Sequence, residues 1–143
     1  MTYVLDIDPN AERIAAAAAL RTRVFVDEQG VDPAIEQDGR DGETLHVAVC
    51  DAHGEVVGTG RLMLGEGYAK VQRVAVEARL RGEGIGRKVM AGLDLVAMRQ
   101  GIGEMRLSSQ AEAVPFYERL GYIPQGEPYL EAGIVHLAMS RKL

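Results

Sequence analysis

The stretch from Arg79 to Met90, RLRGEGIGRKVM, contains three glycines and four basic residues, the residue types of a phosphate-binding loop. A strand-like run, VQRVAV, precedes it, and apolar residues at helical spacing follow it. A strand that turns through glycines into a helix presents free backbone N–H groups and the positive end of the helix dipole. The same residues also fit a tight turn with surface arginines, so the glycines alone leave both interpretations open.

Two familiar nucleotide-binding patterns do not fit these glycines. The dinucleotide pattern GxGxxG, begun at Gly82 or Gly84, requires glycine where the chain has Arg87 or Val89. The Walker pattern GxxxxGK[ST] also fails at Arg87, and no Ser or Thr follows Lys88. Because both spacings fail, an enzyme acting on nucleotide phosphates is disfavoured.

The segments around the glycine stretch predict how it is positioned. A helix is expected from about Gly84 to Gln100, because apolar residues recur at helical spacing, at Ile85, Val89, Leu93 and Val96. This helix joins the strands VQRVAV and EMRLSS, and a β-α-β unit normally makes its two strands parallel. The glycine stretch is therefore predicted to lie at the end of one of two parallel strands.

The rest of the chain predicts an α+β fold with a mixed sheet. An alanine-rich helix is expected after an N-cap at Asp8, reaching about Val26, with Arg21 at the rim of its apolar face. An acidic, turn-rich loop follows, and from Leu45 period-two patterns predict a three-strand antiparallel meander. Two further strands are expected around a turn at Glu131–Gly133. Residues 1–143 are predicted to form one domain.

Composition excludes several classes of function. A net charge of -5 argues against nonspecific binding of nucleic acid. The single cysteine, Cys50, excludes an internal disulfide, and the widely separated His46, His53 and His136 give no metal-ligand spacing, so no metal is expected. No apolar run approaches the ~20 residues needed to span a bilayer. A cytoplasmic protein without a membrane partner is the expectation.

A third spacing does fit. R-x-x-G-x-G, from Arg81 through Gly84 to Gly86, resembles the acyl-CoA signature [QR]-x-x-G-x-[GA] of the GNAT superfamily of N-acetyltransferases. The downstream segment AVPFYERLGY is similar to the end of a helix in that family, and LRTRVFVDEQGV, the spacing of Asp38 and Asp41, LHVAV and EAGIVHLAM resemble its ElaA-like subgroup. The resemblance covers nearly the whole chain.

The resemblance implies an activity and a fold. The activity is transfer of an acetyl group from acetyl-CoA to a primary amine of a small molecule or peptide. The alternative is a module that binds acyl-CoA without catalysis. The fold is a mostly antiparallel sheet of about six or seven strands, with helices on both faces and a splayed parallel pair, VQRVAV and EMRLSS. A monomer or a homodimer is expected.

The resemblance also assigns residues to the donor. The CoA pyrophosphate would rest on the loop of Arg81–Gly86, and the pantetheine arm would run along Val74–Val76. The backbone N–H of Val74 would polarise the thioester carbonyl, and Tyr117 would protonate the CoA sulfur. The full expected acyl-CoA site is Val74, Ala75, Val76, Arg81, Gly82, Glu83, Gly84, Ile85, Gly86, Arg87, Phe116 and Tyr117.

The general base stays open at this stage. Many family members place a glutamate on the strand before the loop, where this chain has Gln72 and Arg73. The candidates are Glu28, His46, Glu131 and His136, or the amine arrives already deprotonated. Both histidines also fit structural roles within apolar strands.

The amine acceptor is expected near the first helix and the acidic loop. The loop carboxylates either attract a cationic amine or are merely solvated, and they are Glu28, Glu36, Asp38 and Asp41. The aromatic residues Phe25 and Tyr129 are candidates for lining the acceptor pocket.

Overall fold

Seven strands form one mixed sheet in the computed structural model, which describes residues 2–143. The strands are β1 (Val4–Asp6), β2 (Leu45–Cys50), β3 (Val56–Leu64), β4 (Ala69–Val76), β5 (Glu104–Gln110), β6 (Ile123–Glu131) and β7 (Ile134–Lys142). They lie in the order β1-β2-β3-β4-β5-β7-β6. Only β4 and β5 pair in parallel, which confirms a mostly antiparallel mixed sheet.

Helices cover both faces of the sheet, as predicted. They are α1 (Ala11–Arg21), which continues as a π-helix (Thr22–Glu28), α2 (Pro33–Glu36), α3 (Ile85–Arg99) and α4 (Val114–Arg119). On one face, α1 packs Ala17 and Leu20 against strand residues such as Ala48. On the other, α3 packs Val89 and Leu93 into the larger core. No helix within residues 2–143 is long and apolar enough to cross a membrane.

Two details of α1 correct the sequence-based expectation. Its N-cap is Asn10, whose side chain accepts a hydrogen bond from the Arg13 N–H at 2.9 Å, whereas the Asp8 N–H donates to Asp6. Arg21, expected at a rim, is only 3% exposed. It is buried because carboxylates from the following loop pair with its guanidinium, a long-range arrangement that helical periodicity does not reveal.

Two glycines in β3 let α3 approach the sheet closely. A Cβ on Gly58 would lie 2.5 Å from Cγ2 of Ile85, and a Cβ on Gly60 would lie 2.9 Å from Cδ1 of Leu93. Neither position has room for a side chain, as expected for glycine inside a strand. Since Ile85 is the first residue of α3, this contact fixes the helix end that follows the glycine loop.

The parallel pair separates along its length. β4 and β5 pair only where Ala69–Val71 lie beside Met105–Leu107. Beyond that point β4 continues its ladder with β3 as far as Val76, and β5 continues with β7 as far as Gln110. The result is an open strand edge inside the sheet, the splayed pair that the family resemblance implied.

Candidate active site

The gap between β4 and β5 opens into a cavity of about 980 Å³. Its walls include Val74–Val76 of β4, Leu107–Gln110 of β5 and the loop that precedes α3. This volume is at the upper end of the range typical of small-molecule sites. The cavity is large enough to receive a cofactor arm together with a second ligand.

The glycine loop forms one end of the cavity. Gly82 and Gly84 have φ of +88° and +86°, and a Cβ added at either would meet no atom within 4 Å. They are therefore needed for the backbone turn, and the space beside them is free for a ligand. Gly84 caps the 15-residue helix α3 without any side-chain hydrogen bond, which leaves the first helical N–H groups available. A phosphate group fits this end of the cavity.

Two charged residues of the loop are engaged elsewhere. The Arg81 guanidinium donates to both carboxylate oxygens of Glu28, at 2.6 and 2.8 Å, and to the Val76 carbonyl. That hydrogen bond holds the pKa of Glu28 below its usual value. Glu83 accepts a hydrogen bond from the Tyr3 hydroxyl at 2.9 Å and does not line the cavity, unlike the other residues expected at the acyl-CoA site.

A β-bulge deforms β4 where it borders the gap. The register passes from Arg61↔Gln72 to Thr59↔Ala75, so Arg73 and Val74 together face one residue of β3. Arg73 has a φ of +56°, a left-handed conformation that costs about 1–2 kcal/mol for a residue with a side chain. The bulge changes the direction of the backbone next to Val74, the expected oxyanion donor.

Tyr117 reaches the cavity from α4. It is buried, and its ring packs edge-on against Phe116 and Tyr122 at centroid distances of 5.0 and 5.9 Å. Burial raises the pKa of Tyr117 to about 12, so its hydroxyl keeps its proton at neutral pH. A protonated hydroxyl lining the gap has the chemistry of a hydrogen-bond donor to a leaving group.

His136 and Glu131 line the cavity from the β6–β7 hairpin. The His136 ring is buried, with Nδ1 2.7 Å from the Ile134 carbonyl oxygen and Nε2 3.5 Å from Glu131 Oε2. Because a carbonyl oxygen only accepts, the proton of the neutral ring belongs on Nδ1, which leaves the Nε2 lone pair free. Tyr129 stacks on this ring and contacts the Ser108 hydroxyl.

The other two base candidates do not line the cavity. Glu28 is held by Arg81, as described above. His46 is buried, and its Nε2 lies 3.0 Å from the Thr44 hydroxyl and 2.9 Å from the Asp41 carbonyl oxygen. Of the two aromatic residues expected at the acceptor pocket, Phe25 lines the cavity, and Tyr129 touches it only through His136 and Ser108.

Three of the acidic-loop carboxylates, Glu36, Asp38 and Asp41, are paired with arginines, so they are not merely solvated. Glu36 accepts from Arg21 Nε at 2.7 Å, and Asp41 accepts from Arg21 and Arg61 at 2.9 and 2.8 Å. Asp38 accepts from both terminal nitrogens of Arg61, at 2.6 and 3.2 Å. We call this set, completed by Arg73, the arginine–carboxylate network. It pairs three arginines with three carboxylates and is therefore neutral.

Several cavity residues were not predicted from the sequence. Gln29 follows the π-helix and accepts a hydrogen bond from the side chain of Gln110, which links that helix to β5 across the gap. Lys70, Gln72 and Ser108 also line the cavity. The usable sequence signal was the polar end of the strand EMRLSSQ, since polar side chains on a buried strand often mark a site.

Comparison with known proteins agrees with this geometry. The acetyltransferase (GNAT) domain family matches residues 6–143. An uncharacterized N-acetyltransferase of Bacillus subtilis (strain 168), YjcF, is 36% identical over 136 residues, which cover 94% of this chain and 96% of YjcF. The crystal structure of an acyl-CoA N-acyltransferase from Pseudomonas aeruginosa superposes with a TM-score of 0.81 at 30% identity, covering 98% of both chains. Escherichia coli ElaA gives 0.82 at 28%, also covering 98% of both.

The chain belongs to the GNAT acetyltransferase family. It is an N-acetyltransferase with the fold of acyl-CoA N-acyltransferases, as the resemblance of its glycine loop implied. The family uses acetyl-CoA, and the residues present fit that molecule. The glycine loop suits a pyrophosphate, and the unpaired edge of β4 suits the amide groups of a pantetheine arm.

Proposed function

We propose that this protein transfers the acetyl group of acetyl-CoA to a primary amine of a small molecule or peptide. The observation that carries the proposal is the gap between β4 and β5. The glycine loop lies at one end of its cavity, and a hydroxyl, Tyr117, and an imidazole, His136, line its walls. These groups supply the proton donor and the proton acceptor that acetyl transfer to an amine requires.

The donor is assigned to the β4 side of the cavity. The loop Arg81–Gly86 binds the pyrophosphate through backbone N–H groups, and Val74–Val76 pair with the pantetheine arm as an added strand. The Val74 N–H, in the bulge, stabilises the oxygen of the tetrahedral intermediate. Tyr117 gives its proton to the departing sulfur.

The general base is assigned to His136. The Nε2 lone pair accepts a proton from the attacking amine, and the Ile134 carbonyl holds the ring in the required tautomer. Glu131, 3.5 Å from Nε2, stabilises the imidazolium that results. This pair takes the place of the strand glutamate that Gln72 and Arg73 replace.

A thiol-release assay across small amines and peptides tests the assignment, together with calorimetric titration of acetyl-CoA. His136→Gln is expected to lower kcat about 10²–10⁴-fold without changing the acetyl-CoA Kd, since it removes only the base. Tyr117→Phe is expected to lower kcat with the same preserved affinity. His53→Gln is the matched control, because His53 is exposed in the β2–β3 turn.

Each outcome of this test has a definite meaning. Wild-type turnover by His136→Gln or Tyr117→Phe would remove that residue from the mechanism. Gly84→Val is expected to abolish acetyl-CoA binding, and an unchanged affinity would refute the role of the loop. If the wild-type protein binds acetyl-CoA but releases no thiol with any amine, the chain is a binding module.

A further inference from the structure

The charges around the acceptor side of the cavity point to the chemistry of the acceptor itself. Six lysine or arginine residues and three acidic residues line the cavity of a protein whose net charge is -5. Two of the acids, Glu36 and Asp38, belong to the neutral arginine–carboxylate network. The third, Glu131, is next to His136. Outside the network the described lining of the whole cavity therefore holds five cations, Arg40, Lys70, Arg81, Arg87 and Arg119, and one carboxylate, Glu131.

Lys70 is one of the lining cations outside the network, and it lies on β4. Its side chain is half-buried and lines the cavity on β4, and among residues 2–143 it has no side-chain hydrogen bond or ion-pair partner. Its neighbour on β5 is Arg106, a second cation, which pairs with Glu104 and stacks on the Tyr68 ring. An ammonium group in this position is stabilised by an anion and destabilised by a further cation.

Gln72 presents a donor beside Lys70. The Arg61 guanidinium has only N–H donors, and its Nε donates to the Gln72 Oε1 at 3.1 Å. The amide nitrogen of Gln72 is therefore left with both of its hydrogens. Lys70 and Gln72 are alternate residues of one strand, so their side chains leave the same face about 7 Å apart. Both line the cavity, and together they offer donors without an acceptor.

We propose that the acceptor is an amine that also carries a carboxylate, and that this carboxylate binds between the Lys70 ammonium and the Gln72 side-chain amide. The proposal rests on the acetyl transfer proposed above and narrows its substrate class. Lys70 lies four residues before Val74, and because Arg73 and Val74 share one position in the bulge, the separation is on the order of 10 Å. The carboxylate and the reacting amine are therefore separated by several bonds, as in an ω-amino acid. A peptide with a free amino terminus and an acidic side chain has the same two groups.

Thiol release with three matched acceptors tests the proposal: 6-aminohexanoate, hexylamine and 1,6-diaminohexane. The kcat/KM for 6-aminohexanoate is expected to exceed both others by about tenfold or more, the effect of one charged hydrogen bond. Lys70→Met should abolish this preference, and Lys70→Glu should reverse it toward the diamine. Lys142→Met, an exposed lysine at the end of β7, should leave it intact.

Equal use of the three acceptors, preference for the diamine, or an unchanged preference in Lys70→Met would overturn the proposal. Adding a tripeptide with an aspartate at its third position distinguishes a peptide carboxylate from that of a free amino acid. A preference for the tripeptide or for 6-aminohexanoate supports the proposed carboxylate site at Lys70 and Gln72.

A binding measurement covers the case in which none of these acceptors reacts. N-acetyl-6-aminohexanoate should bind the CoA complex of the wild-type protein in calorimetry, about tenfold more weakly in Lys70→Met, and normally in Lys142→Met. No binding to the wild-type CoA complex would overturn the anion site. Binding of CoA and of this probe without thiol release from any amine would instead refute the proposed transfer.

Discussion

Asp38→Asn tests how much the arginine–carboxylate network stabilises the fold behind the acceptor side of the cavity. The Asp38 carboxylate accepts from two nitrogens of Arg61 and from the Arg40 N–H at 3.0 Å. The Arg61 hydrogen bond is the main reason that the pKa of Asp38 falls from 3.8 to about 2, against the opposing effect of burial. A difference of that size corresponds to about 2 kcal/mol.

Partial exposure reduces that figure. The Asp38 side chain is 26% exposed, so solvent screening lowers the expected loss of stability to about 1–2 kcal/mol at pH 7. The direction of the pH dependence follows from the lowered pKa of Asp38 in the folded state. The contribution is fully present above the unfolded value of 3.8, and it is lost as the pH falls from there toward about 2.

Urea unfolding followed by circular dichroism measures this effect in wild type and Asp38→Asn at pH 7 and at several lower values. The difference in unfolding free energy should be largest at pH 7 and should shrink below pH 3.8. Asp27→Asn is the control, because Asp27 is exposed and has no ion pair among the described residues. Equal stability of wild type and Asp38→Asn at pH 7, or a deficit that does not change with pH, would refute the reasoning.

Two further predictions concern the donor side. Gly58→Ala should destabilise the protein by about 1–3 kcal/mol in urea, because its Cβ would lie 2.5 Å from Ile85, and should weaken acetyl-CoA binding. Gly103→Ala is the control, since an added Cβ there meets nothing within 4 Å, and equal effects would contradict the packing argument. Glu28→Gln should lower the calorimetric acetyl-CoA Kd by up to about fivefold. In this variant Arg81 does not have to break an ion pair with Glu28 before it binds phosphate. Weaker binding would show that Glu28 assists the donor.

The turn of the glycine loop and its position between a strand and a helix could be predicted from the sequence because they depend mainly on local backbone geometry. The residues R-x-x-G-x-G, the strand before them and the helix after them are contiguous in the chain. Gly82 and Gly84 adopt positive φ angles, which favour glycine. The turn observed in the structure is therefore the one that the two glycines in the sequence indicate. The parallel pairing of β4 and β5 followed from the helix that connects them.

The acceptor side could not be predicted because it depends on contacts between distant segments. Arg21 joins Glu36 and Asp41 from positions 15 and 20 residues away, and Arg61 reaches Asp38 across 23 residues. A period-two or helical pattern indicates which face of its strand or helix a residue occupies. It does not indicate which charged side chain from another segment pairs with that residue. For that reason Arg21 was expected at a rim and the loop carboxylates at a solvated or substrate-binding surface.

The pairing of these charges bears on the acceptor site that we propose. Within the network every carboxylate has an arginine, so Glu36 and Asp38 add no net charge beside the apolar wall to which Ile35 contributes. In the proposed acceptor site, selectivity for charge rests on Lys70 and Gln72 of β4, which lie outside the network. Arg61 donates to Gln72, so in the proposed site the network would act on the acceptor carboxylate through that amide. A change at Arg61 should therefore alter acceptor preference as well as stability.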